Sequence, residues 1–145
     1  MPSWVIPRAF ICLVFAMLSA CTPQDSNQAA LEEAVSQLQK NLQGKRASAV
    51  MEQLHPQFLA QQQYDRAWAQ RSMLALFMRH KRVQIITLSK TTSLDGPYSE
   101  RGLTEARVAL TGAQNLLPNS AEHLQLKMQW WLEQGQWRLA RLDWQ

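Results

Sequence analysis

Cysteine is nearly absent from this chain. The 145 residues hold two, Cys12 and Cys21, and no Cys/His constellation that could bind zinc or build a thiol nucleophile. Glycine is also scarce, at five, and no glycines are spaced as a phosphate-cradling loop or a nucleophile elbow. The three histidines, His55, His80 and His123, share no metal-ligand spacing on one helix or strand. Each is expected as a surface or capping residue, so no metal and no cofactor are expected. Neither sign of charge dominates, with 15 basic and 11 acidic residues. The basic residues are scattered except for Arg79-His80-Lys81-Arg82, which falls where a third helix should end. Cations there complement the helix dipole, so nucleic acid is not an expected partner. There is no internal repeat and no low-complexity tract. The apolar run Ala9–Leu18 is about half the roughly 20 residues that a bilayer span needs.

That run is part of a three-part pattern: Arg8, the apolar stretch, and then small residues before Cys21, which together read as an export signal. Leu18-Ser19-Ala20-Cys21 resembles the lipobox of bacterial lipoproteins. The resemblance implies that the Cys21 thiol is alkylated with diacylglycerol, that the chain is cut before it, and that the new amino group is acylated. A thiolate is the natural nucleophile for that alkylation. Thr22 stands where inner-membrane lipoproteins typically carry Asp, so the resemblance implies an outer-membrane anchor facing the periplasm. Cleavage would remove Cys12 and Arg8, leaving 14 basic residues against 11 acidic ones. With Cys21 lipidated, no thiol would remain. The expected organisation is a signal at 1–20, a lipidated cysteine and polar tether at 21–28, and one domain at 29–145, long enough for one core and too short for two.

Within that domain, Leu31, Val35, Leu38 and Leu42 recur at helical spacing up to Gly44. A second helix is predicted over 47–54, with Pro56 as its stop. Asp65 is placed to cap a third helix carrying Trp68, Leu74, Phe77 and Met78. Residues 73–78 are apolar nearly all round, so this helix is predicted to be the most buried of the three. After Arg82 the period changes: Val83–Leu88 is rich in β-branched residues, Ala106, Val108 and Leu110 alternate with their neighbours, and Leu124, Leu126, Met128, Trp130 and Leu132 form the cleanest period-two run. Gln134-Gly135 is a tight turn into a last strand from Trp137 to Trp144, and Asn115–Ser120 is a predicted loop between the second and third strands. The fold class is therefore α+β, with three N-terminal helices packed on a curved antiparallel sheet of about four strands.

Three helices followed by a sheet that ends in the Trp-rich hairpin Trp130-Trp131-Leu132-Glu133-Gln134-Gly135-Gln136-Trp137 resemble the cone-shaped nuclear transport factor 2-like superfamily over roughly residues 28–144. Leu74–His80, Leu110-Thr111-Gly112 and Gly135-Gln136-Trp137-Arg138-Leu139 are similar to stretches of uncharacterised bacterial lipoproteins of that superfamily. The superfamily includes isomerases, dehydratases, transport adaptors and binding modules, so membership implies a cone with a cavity and leaves the activity open.

An enzyme on such a scaffold needs an ionisable group inside its cavity. The inward positions of the predicted strands, Ala106 to Trp130, offer none. Tyr64-Asp65 is the one catalytic candidate, set against the plainer role of a helix cap beside an aromatic neighbour. The expected ligand-contacting residues are Tyr64, Trp68, Phe77, Leu126, Met128 and Trp130. Trp131 points away from Trp130, towards a partner, a membrane interface, or the underside of the C-terminal segment. The expected function is a lipid-anchored envelope binding or accessory protein without catalysis. Its partners would be the membrane, a hydrophobic small molecule or an envelope protein, and a second copy docked through the sheet. The alternative is an isomerase- or dehydratase-like enzyme acting on a small hydrophobic substrate.

Overall fold

A computed structural model describes residues 23–111 and 123–145. The expected signal, Cys21 and the Asn115–Ser120 loop lie outside the described residues. Three helices, α1 (Pro23–Gln43), α2 (Ala47–Gln53) and α3 (Arg66–Arg79), cover one face of a six-stranded sheet. Its strands are β1 (Leu54–Ala60), β2 (Tyr64–Asp65), β3 (Gln84–Leu94), β4 (Arg101–Thr111), β5 (His123–Glu133) and β6 (Gln136–Trp144). They lie in the order β2-β1-β6-β5-β4-β3.

About four strands were expected, but the sheet has six. It is also mixed, because β1 runs parallel to β6, with Leu54 opposite Leu139 and Leu59 opposite Arg141. Pro56, read from sequence as a helix stop, sits inside β1. The β1–β6 register shifts between Leu54 and Leu59, and an irregular stretch tolerates a residue with no N–H to give. Further register shifts fall between Thr87 and Ser89 and between Gln129 and Trp130. Such bulges bend a strand and increase its twist.

The helices depart from expectation at two points. Residues 23–28, read as tether, are already helical, and Pro23 opens α1 at the end where its missing N–H costs nothing. The most buried helix is α1, not α3: Leu31, Val35, Leu38 and Asn41 are buried on α1, and only Met73 on α3. α3 packs chiefly on β1 and α2, so part of its apolar surface is left over, with Leu74 43 % and Met78 88 % exposed. Asn41 links α1 to α2: Gln37 donates to Asn41 Oδ1, and Asn41 donates to Gln53 Oε1. The β5–β6 turn has both central residues at positive φ, Gln134 at 50° and Gly135 at 74°, the backbone that a two-residue hairpin requires.

Candidate functional site

Between the helices and the sheet lies a cavity of about 240 Å³. Leu38 and Leu42 of α1, Val50 and Met51 of α2, and Leu54 and Phe58 of β1 form one side. Trp68, Ala69, Ser72, Met73 and Leu76 of α3 form another, and Ile85, Val108, Leu110, Leu124, Leu126, Met128, Leu139, Leu142 and Trp144 floor it. No lining side chain titrates near neutral pH. The polar groups among them are the Ser72 hydroxyl and the indole N–H groups of Trp68 and Trp144.

Of the six residues expected to touch a ligand, Trp68, Leu126 and Met128 line the cavity. Tyr64 stands behind this wall, stacked on Trp68 at 4.5 Å between ring centroids, and Trp68 in turn faces Trp144 at 6.1 Å. Phe77 is partly buried against the core and Trp130 is fully buried; both lie outside the lining. The contributions of β1 and α2 were missed. Phe58 and Leu54 were hidden because their stretch reads as a helix end and a stop. Val50 and Met51 were legible as helix core, but nothing in the sequence places them at a cavity.

Asp65 is exposed at the N-terminus of α3, and its Oδ1 accepts from Trp68 N–H at 2.9 Å. This is the geometry of a helix cap. Asp65→Ala is expected to cost about 0.5–2 kcal/mol, whereas Asp65→Asn keeps the acceptor and should cost a few tenths of that range or less. Urea denaturation of both variants checks this. A large loss in Asp65→Asn would show that the carboxylate charge has work beyond the cap.

A second cluster sits on β1, β4, β5 and β6. His55, expected at a surface or cap, is instead buried in β1 at 4 % exposure. Its Nδ1 accepts from Gln57 N–H at 3.0 Å. Nε2 lies 2.8 Å from Glu133 Oε1, off the line of a straight hydrogen bond. The ring meets Trp131 edge-on at 4.7 Å. Arg101 of β4 and Arg141 of β6 approach the same indole from the two flanking strands, at 4.1 and 4.9 Å. Trp131 is thus packed within the domain by cations and an imidazole. Among the described residues, no group of three His, Cys, Asp or Glu converges as a metal site, and no helix is long and apolar enough to cross a membrane.

No family model and no curated protein matches the sequence. Solved structures do match. A protein from Streptomyces avermitilis described as a candidate dehydratase of the nuclear transport factor 2-like family superposes with a TM-score of 0.65 at 10% identity, covering 83% of this chain and 96% of its own. A nuclear transport factor 2-like protein of unknown function from Pseudomonas putida gives 0.63 at 8% identity, over 82% and 85%. The fold is nuclear transport factor 2-like. A protein of unknown function from Nostoc punctiforme, described as having a cystatin-like fold, gives 0.60 at 14% identity over 85% and 91%. At these identities the likeness establishes the fold alone, and the nuclear transport factor 2-like scaffold is compatible with either binding or catalysis.

Proposed function

We propose that this chain is a lipid-anchored protein of the bacterial cell envelope, attached through Cys21 to the outer membrane and facing the periplasm. Its cone would hold a hydrophobic molecule without transforming it. The observation that carries the binding half is the cavity lining: side chains from helices and sheet enclose about 240 Å³ with no acid, base or nucleophile stronger than the Ser72 hydroxyl. Such a wall stabilises apolar surface at about 0.8 kcal/mol for each methylene buried and has no group to move a proton at neutral pH. The anchor half rests on the Leu18-Ser19-Ala20-Cys21 resemblance. Two or more acyl chains on one cysteine would hold a protein at a bilayer stably, where one would not.

The second reading, an isomerase- or dehydratase-like enzyme on a small hydrophobic substrate, is favoured by the description of the Streptomyces avermitilis neighbour. It would need a proton-transfer group in the cavity, and Asp65, the best candidate by sequence, is occupied as a cap.

One experiment reads both halves of the proposal. The full-length chain is produced in a bacterium with an outer membrane, extracted with mild detergent and released into a native mass spectrometer. The expected result is a polypeptide starting at Cys21 and heavier by its acyl chains, with a small apolar molecule retained. An unmodified, uncleaved chain in the membrane fraction would overturn the anchor. A molecule that returns chemically altered after incubation with the protein would overturn the binding-only reading.

A further inference from the structure

The cavity runs to one end of the domain. Leu42 is one residue from the end of α1, Leu76 three from the end of α3, and Ile85, Leu110 and Leu124 stand at the adjoining ends of β3, β4 and β5. Ile85 pairs with Leu110 and Val108 with Leu124, so these strand ends are side by side. Gln39 of α1 reaches the Ile85 carbonyl at 3.2 Å, which brings the end of α1 over the same place.

Immediately beyond these apolar residues the sequence turns basic. Arg46 lies four residues past Leu42, Arg79 three past Leu76, and Lys81 and Arg82 within four of Ile85. All four are exposed. From Arg66 to Leu94 there are six lysines and arginines and no acid. Glu122, beside His123, is the acid next to these strand ends in sequence and lies outside the described residues. Sequence reasoning gave the Arg79–Arg82 knot the task of complementing the α3 dipole. Arg79 does stand in the last turn of α3, and Lys45 adds to it, its ammonium donating to the carbonyls of Phe77, at 2.9 Å, and of His80. Among the described residues, the side chains of Arg46, Arg79, Lys81 and Arg82 have no carboxylate or carbonyl partner.

Resting on the reading of the cavity as a ligand site, we infer that its ligand is a single-chain amphiphile with an anionic headgroup. The tail occupies the apolar cavity and a carboxylate or phosphate sits against Arg46, Arg79, Lys81 and Arg82. The cavity cannot hold the head, because burying a charge among these side chains would leave it without partners. The basic residues that follow the lining in sequence can, because guanidinium groups donate two parallel hydrogen bonds to an oxyanion.

The test uses the full-length protein in phosphatidylcholine nanodiscs, which avoids detergent competing for the cavity. Octanoate, octyl phosphate and octan-1-ol are titrated against it and against empty discs, following the fluorescence of Trp68 and Trp144 in the cavity wall. Both anions are expected to bind about tenfold or more tighter than the alcohol, the scale of one or two charge-assisted hydrogen bonds. The preference should shrink at 0.5 M salt, where exposed charges are screened within about 5 Å. Arg79→Gln, Lys81→Gln and Arg82→Gln together should abolish it while leaving the alcohol affinity and the thermal midpoint in place. The ratio of octanoate to octyl phosphate then separates a free carboxylate from a phospholipid-type head. Equal binding of alcohol and anions, at any salt, overturns the amphiphile inference and leaves the cavity reading standing. Failure of all three to bind overturns both.

Discussion

Trp130→Ala is expected to destabilise the domain by about 3–5 kcal/mol, the range for emptying a large aromatic site, and to unfold much of the population, since a domain of this size has only about 5–15 kcal/mol to lose. Trp130 is completely buried in β5, flanked by Leu139 of β6 and by Gly102 of β4. Three strands therefore lose packing at one point, and the gap lies too deep for neighbours to close. The indole N–H has no acceptor, and an unmet buried donor costs about 1–3 kcal/mol. Trp130→Phe removes that penalty together with part of the ring, so it is expected to cost far less than the alanine variant. Guanidinium denaturation of the two variants gives the comparison. Equal losses would mean that the indole nitrogen is solvated and that the site is less tight than its burial indicates. Phe77→Ala, at a partly buried position, is expected to fall below Trp130→Ala.

Gly102 lies beside that tryptophan under α1. A Cβ added there would stand 2.4 Å from Leu31 Cδ2, well inside van der Waals contact. Leu31 is itself fully buried, so its side chain has no free direction in which to retreat. Gly102→Ala is therefore expected to cost about 1–3 kcal/mol by overpacking, although alanine is otherwise as acceptable in a strand as glycine. Leu31→Ala alone is expected to cost about 2–5 kcal/mol. Combined, each substitution removes part of the other's cost, because the added methyl enters the space that the leucine vacates. The loss in the double variant should fall short of the two single losses by about 0.5–3 kcal/mol, the scale of coupling between residues in contact. Strict additivity in chemical denaturation would show that α1 shifts away as a body instead of meeting Gly102 through Leu31.

Much of the fold is legible because local periodicity and burial coincide. Leu31, Val35 and Leu38 recur at helical spacing and are buried; Leu124, Met128 and Trp130 fall on one face of a strand and are buried. Asp65 was placed as a cap and is one. At the candidate site the alternation of β5 identified Leu126 and Met128, and the apolar face of α3 identified Trp68. Phe77 and Trp130 show the limit of the method. Periodicity reports that a side chain faces inward, but not whether it meets a void or another side chain.

The misread elements have a common cause. Leu54–Ala60 is short, lacks alternation and contains Pro56, so nothing local marks it as a strand. It becomes one because β6 offers an open edge on which it can pair in parallel, and a parallel partner distant in sequence leaves no local signal. His55 is carried with it, into a buried position between Gln57, Glu133 and Trp131. Residues 73–78 of α3 are apolar nearly all round, and only the placing of β1 and α2 decides which of them remain outside.

By itself, the sequence determined the class of the fold, the three helices and the main strands that follow them, the inward set of those strands, and the lipobox-like cysteine that directs the expectation of a membrane anchor. These are properties of neighbouring residues, set by hydrophobic period, caps and short motifs. Tertiary structure alone decided that the sheet has six strands, that a cavity remains between α3 and the sheet, and that Lys45 donates to carbonyls at the end of α3 while Arg79, Lys81 and Arg82 stay exposed. Each of those depends on how residues far apart in the chain share one space, and packing at that range is a sum over the whole domain that no local pattern encodes.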